Sequence, residues 1–83
     1  MSNVVRMLAF AGARDAVGAG EVDLPLLGPC TAAELLDTIC ARYPALGPYK
    51  GSLRVAINGV YALPGDKVAL GDEIALIPPV AGG

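Results

Sequence analysis

Histidine is absent from this 83-residue sequence, and that one absence removes much side-chain chemistry. There is no Ser/His or Cys/His nucleophile pair and no Cys/His metal cluster. The glycines fall at turn positions and not in a phosphate-binding spacing, so there is no Walker loop. Cysteine is scarce. Cys30 and Cys40 bracket a predicted helix whose ten residues rise about 15 Å, beyond disulfide reach. Both are read as reduced packing residues. Charge is sparse as well, at 17% of residues, and the six basic ones (Arg6, Arg14, Arg42, Lys50, Arg54, Lys67) are scattered. That pattern leaves no basic footprint for nucleic acid or an anionic membrane. Long apolar runs are missing too. Val4 to Ala11 is broken by Arg6 and lacks the charged start and cleavage site of a signal peptide, and no segment approaches a membrane span. A cytoplasmic protein without side-chain catalysis is expected.

What is present is apolar residue, 54% of the chain, enough to bury one core and too short a chain for two. Val4 to Ala11 is rich in β formers and reads as a first strand. Period two places Val5, Met7 and Ala9 on one face and Arg6, Leu8 and Phe10 on the other. Gly12 to Gly20 holds three glycines and reads as a loop. Glu21 to Leu26 alternates with Val22, Leu24 and Leu26 inward, and Pro25 marks an edge strand or the end of one.

The helix signal follows. Thr31-Ala32-Ala33-Glu34 is a capping box, with Cys30 and Leu35 at the staple positions. Leu35 and Ile39, joined by Ala32, Leu36 and Tyr43, make a stripe at helical spacing, and Tyr43-Pro44 ends it. Leu53 to Ile57 is a strand, Asn58-Gly59 a hairpin turn into Val60 to Leu63, Leu70-Gly71-Asp72 another turn, and Glu73 to Ile77 a last strand. Hairpin, helix, then short strands predict an α+β chain of the β-grasp (ubiquitin-like) class. It is a mixed sheet packed on one main helix, with residues 1–77 as a single domain and 78–83 as an extended tail.

That tail, Pro78-Pro79-Val80-Ala81-Gly82-Gly83, carries the functional signal. Prolines cannot donate to a sheet ladder and favour an extended chain. From Val80 onward the tail can reach roughly 13 Å, at about 3.3–3.6 Å per residue. Gly82 and Gly83 carry no side chain, so they can thread a narrow channel and leave a terminal carbonyl open to attack. Frayed glycine-rich termini are common. The rigid Pro-Pro and the β-grasp body favour the functional reading.

The run Gly71-Asp72-Glu73-Ile74-Ala75-Leu76-Ile77-Pro78-Pro79-Val80-Ala81-Gly82-Gly83 resembles the MoaD family, the small sulfur-carrier subunit of molybdopterin synthase. Phe10-Ala11-Gly12-Ala13-Arg14-Asp15 and Gly18 resemble a second family pattern, with Asp15 in place of the more usual Glu. Thr31 and Val55-Ala56-Ile57-Asn58 fit as well. The resemblance implies that an E1-like adenylating enzyme uses ATP to activate Gly83, with no cofactor bound by the chain itself. A sulfur donor then forms the thiocarboxylate. The tail, Pro78 to Gly82 included, threads into the large synthase subunit of a heterotetramer and delivers sulfur to cyclic pyranopterin monophosphate.

The face bearing Leu8 and Phe10, with Ile77 nearby, is the expected docking surface, because exposed apolar clusters mark contacts. Arg14 is assigned either to hold a loop through Asp15 or Asp72 or to touch a partner. Three rival functions stay open: a sulfur carrier for thiamine or another pathway, a ubiquitin-like protein modifier, and a plain interaction module.

Overall fold

The computed structural model describes residues 3–78. Its elements run β1 (Val4–Ala9), α1 (Ala11–Val17), β2 (Glu21–Pro25), β3 (Cys30–Thr31), α2 (Ala32–Arg42), a 3-10 turn (Pro44–Tyr49), β4 (Arg54–Ile57), β5 (Val60–Tyr61), β6 (Lys67–Val68) and β7 (Glu73–Ile77).

Five strands form one mixed sheet in the order β2-β1-β7-β4-β5. The two central strands, β1 and β7, are parallel, and every other neighbour pair is antiparallel. A parallel pair cannot be closed by a tight turn. The chain between β1 and β7 therefore crosses over, and α2 is its longest helix. Pro25 sits in edge strand β2, as its missing N–H requires.

The alternation in β1 decides which face α2 covers. Val5, Met7 and Ala9 are buried, as are Ile74 and Leu76 of β7, Leu24 of β2 and Val55 of β4. Helix α2 contributes Ala32, Leu35 and Ile39 to the same interior, with Leu36 and Tyr43 half-buried beside it. Among the described residues every buried one is apolar.

The start of α2 shows how one sequence signal is completed by tertiary contacts. The Thr31 hydroxyl accepts from the Glu34 N–H at 3.2 Å, and the Glu34 carboxylate accepts from the Thr31 N–H at 2.9 Å. Two more first-turn donors are free in an isolated helix. Here Ala32 N–H donates to the Asp66 carbonyl at 2.8 Å and Ala33 N–H to the Pro64 carbonyl at 3.0 Å. The two-residue ladder of β3 with β6, Cys30 opposite Val68, holds that loop in place. Neither β3 nor β6 is visible as a strand in the sequence, since two residues show no period.

β2 and β4 are each one residue shorter than expected, ending at Pro25 and beginning at Arg54, and three larger differences stand out. The first strand stops at Ala9, and the segment expected as a loop from Gly12 to Gly20 is instead largely helix α1. The glycines mark its end: Gly18, at φ 87°, is the left-handed C-cap, with its N–H on the Arg14 carbonyl at 2.8 Å. Ala13 is buried and Ala16 and Val17 pack on the core, which supplies what a seven-residue helix lacks by itself. The third difference is β5, which ends at Tyr61 and not at Leu63. The Leu63 N–H donates to the Asp66 carboxylate at 2.8 Å, so a local turn takes the group a strand would use. The Asn58-Gly59 hairpin forms as read, with both residues at positive φ, 50° and 86°.

Candidate functional site: the tail root and the open sheet face

Strand β7 brings the C-terminal segment out of the middle of the sheet. It lies between β1 and β4, with Ala9 opposite Leu76 on one side and Arg54 opposite Ile77 on the other. Both neighbours leave the ladder there. β1 turns at Phe10 into α1, and β4 begins only at Arg54. Pro78 follows directly and is half-buried. Of the tail residues singled out by sequence, Pro79, Val80, Ala81, Gly82 and Gly83 lie outside the described residues.

The far end of β7 is pinned by polar side chains. Asn58 Nδ2 donates to Asp72 Oδ1 at 3.2 Å, and the Glu73 N–H donates to Asn58 Oδ1 at 3.0 Å. Asp72 Oδ2 accepts from the Ala69 N–H at 2.9 Å. The Gly-Asp-Glu run is thus a turn that locks the start of β7 against the β4–β5 hairpin, one strand length from where the tail departs.

The face of the sheet away from α2 carries the expected docking residues. The register sets Leu8 opposite Ala75, and Ala75 opposite Ala56, with Tyr61 opposite Ala56 on the edge. Leu8, Ala75 and Ile77 are half-buried, while Phe10 is 49% and Tyr61 65% exposed. Leu8, Phe10 and Ile77 therefore gather at one end of one open face. Tyr61 and Ala75 complete that apolar strip and were missed in the sequence. Their outward phase depends on register against β4 and β7, which the sequence shows only as local alternation. The strip is bordered by the Arg6–Glu21 ion pair at 3.7 Å and by Glu73.

Arg14 holds neither of the loop partners proposed for it. Neither Asp15 nor Asp72 lies within ion-pair distance of it, and Asp72 is occupied by Asn58 and the Ala69 amide. The arginine instead lies along Gly20, where a Cβ would stand 3.4 Å from its Nε. It is exposed.

Elsewhere the surface offers little chemistry. Cys30 and Cys40 are free, and burial pushes both thiols up, with Glu34 adding to the effect at Cys30. A raised thiol is a weaker source of thiolate. Lys50 pairs with Asp37, whose hydrogen bond and charge raise the ammonium pKa. Between α2 and the β4–β5 edge lies a groove of about 240 Å³, lined by Ala32, Ala33, Leu36, Leu53, Val55 and Pro64 and also reached by Arg54, Tyr61 and Ala62. Among the described residues no three Cys, Asp or Glu side chains converge as metal ligands would. No helix among the described residues is long and apolar enough to cross a membrane.

One main helix on a mixed sheet whose central strands β1 and β7 run parallel defines a ubiquitin-like β-grasp protein. Residues 7–83 match the model of the ThiS family, and the chain belongs to that family. It is 38% identical, over 95% of its length and 98% of the relative's, to the molybdopterin synthase sulfur carrier subunit of Chlamydomonas reinhardtii. It is 40% identical to the protein of that name in Aedes aegypti, over 95% and 88% of the two chains. Small archaeal modifier protein 1 of Haloferax volcanii is 34% identical over 89% of this chain and 94% of its own. A crystal structure of that archaeal protein superimposes with a TM-score of 0.80, covering 96% of this chain and 99% of that one at 32% identity.

Proposed function

We propose that this protein is a sulfur carrier for molybdopterin synthesis and that its reacting group is the carboxylate of Gly83. The observation that carries this reading is the route of the chain. The central strand β7 is anchored at its start by Asn58 and Asp72 and ends at Ile77, from which the sequence continues as Pro-Pro-Val-Ala-Gly-Gly. A fixed root and a side-chain-free tip suit delivery of a small group into another protein's site. The family and the names of the relatives support the same reading.

A carboxylate is a poor electrophile, so an E1-like partner first joins Gly83 to AMP. The carboxylate oxygen attacks the α-phosphorus of ATP, and pyrophosphate leaves. The outer sulfur of a donor persulfide then attacks the acyl carbon and AMP departs, leaving an acyl disulfide. A second thiol attacks the donor-side sulfur, a disulfide forms on the donor side, and the thiocarboxylate is released. The large synthase subunit accepts the tail and passes sulfur to cyclic pyranopterin monophosphate, while the strip of Leu8, Phe10, Tyr61 and Ile77 docks the body. Two small subunits on a large-subunit dimer is the expected assembly.

The test is intact mass after incubation with ATP, an adenylating enzyme and a sulfur donor. A gain equal to sulfur replacing oxygen, localised to Gly83 and lost when Gly83 is deleted, is expected. No gain with a demonstrably active adenylating enzyme refutes the proposal.

A second reading rests on the likeness to small archaeal modifier protein 1. There the activated Gly83 is captured by a lysine amine of another protein, AMP leaves, and an isopeptide forms. Conjugates of higher mass bearing a Gly-Gly remnant would identify it. Paired prolines before Val80 favour the molybdopterin branch over a thiamine carrier, and formation of molybdopterin with the large subunit separates those two.

A further inference from the structure

Two arginines stand on either side of the strand from which the tail departs. Arg54 is the residue of β4 opposite Ile77, the last residue of β7. Arg14 lies along Gly20, whose carbonyl accepts from the Ala9 N–H at 2.9 Å, and Ala9 stands opposite Leu76 on the other side of β7. Adjacent strands are about 4.8 Å apart, so Arg54 stands one strand spacing from the tail root and Gly20, along which the Arg14 side chain lies, two spacings on the other side, about 14 Å from Arg54 across the sheet.

Both arginines are exposed, and neither has a carboxylate within 4.0 Å among the described residues. The acids that could neutralise Arg14 are otherwise placed. Glu21 next to Gly20 turns to Arg6, Asp72 is held by Asn58 at the opposite end of β7, and Asp15 makes no ion pair among the described residues. In a chain of net charge −2, these are two cations without an ion-pair partner among the described residues, one on each side of the strand that leads to the tail.

We infer that Arg14 and Arg54 form a cationic collar that docks against carboxylates lining the mouth of the partner channel that admits the tail. The inference rests on the functional reading above and names the partner chemistry at the tail's root. Distance selects carboxylates of the partner protein over nucleotide phosphates. Gly83 is the sixth residue beyond Ile77, an extended reach of roughly 20 Å at about 3.3–3.6 Å per residue. A nucleotide reacting with Gly83 then sits far beyond an arginine side chain at the root, whereas the channel rim meets it. Complementary rim charge acts mainly on the rate of encounter and on its salt dependence.

The experiment is association of the intact protein with the molybdopterin synthase large subunit of the same organism, followed by stopped flow. It is run at about 0.1 M and about 1 M salt, between which the Debye length falls from about 10 to about 3 Å. Arg54→Gln and Arg14→Gln are each expected to slow association about threefold at the lower salt, and the double variant about tenfold. At the higher salt the differences vanish, and Arg54→Lys restores the wild-type rate. Melting temperatures stay unchanged, since both side chains are exposed.

Wild-type rates in Arg54→Gln and in the double variant at both salts overturn the collar. So does a deficit that persists at high salt, which would mean lost packing. A deficit confined to the adenylating enzyme in the presence of ATP assigns the arginines to phosphate and overturns it too. Wild-type protein that binds neither partner refutes the functional reading itself and removes the collar with it.

Discussion

Replacing Phe10 by Asp separates docking from folding, because this residue has two roles that respond in opposite directions. Its ring lies at the end of the open sheet face, 49% exposed. A phenylalanine presents about 200 Å², so about 100 Å² is left for a partner to cover. At about 25 cal/mol per Å² that area is worth about 2.5 kcal/mol of binding, or about 60-fold in Kd. A carboxylate in its place would also need desolvation, which makes the loss no smaller.

The backbone of Phe10, meanwhile, is the N-cap of α1. It is extended, at φ −124° and ψ 151°, its carbonyl accepts from the Ala13 N–H, and its side chain caps nothing. Aspartate is among the preferred N-cap residues, so Phe10→Asp offers α1 an acceptor that it lacks. Calorimetric titration into the large subunit should show the affinity falling about 60-fold. Thermal unfolding of the same sample should show a midpoint equal to or above wild type. An affinity within about threefold of wild type would refute the docking face, since the area argument leaves no room for so small a change. A lowered midpoint would refute the reading of Phe10 as an uncommitted cap.

Leu76 of β7 is fully buried between α2 and the sheet, and Leu76→Ala should cost about 2–5 kcal/mol in urea unfolding; an unchanged midpoint would contradict its place in the core. The Glu34 carboxyl is held below its ordinary value, first by the Thr31 backbone N–H and then by the Thr31 side chain. A depressed acid stabilises the fold above its unfolded pKa and loses that contribution as pH falls through the lower, folded value. The stability gap between wild type and Glu34→Ala should therefore be full at neutral pH and shrink below about pH 4.3, as measured by unfolding across that range. A gap independent of pH would remove the capping box as its cause.

The sequence by itself determined those parts that local chemistry decides. Thr31 and Glu34 three residues apart define a helix start in almost any context, and Asn58-Gly59 defines a hairpin turn because both residues tolerate positive φ. The strict alternation of Val5, Met7 and Ala9 selected the buried face of β1, and the run from Gly71 to Gly83, with Phe10 to Asp15, carried the resemblance. Tertiary structure decided the rest. Helix α1 is too short to announce itself and contains glycine, and it holds because Ala13 reaches the core. Strands β3 and β6 have two residues each and exist only as each other's partner, where they bring the Pro64 and Asp66 carbonyls to α2.

The outward strip is likewise a product of register. Leu8, Ala75, Ala56 and Tyr61 come from four strands scattered along the chain, and only pairing of β1, β7, β4 and β5 sets them side by side. Arg14 and Arg54 are forty residues apart in the chain and carry no shared signal in sequence. They come to stand on either side of the tail root because β7 inserts between β1 and β4, a non-local hydrogen-bonding choice driven by burial of Ile74 and Leu76, which no window of neighbouring residues can contain.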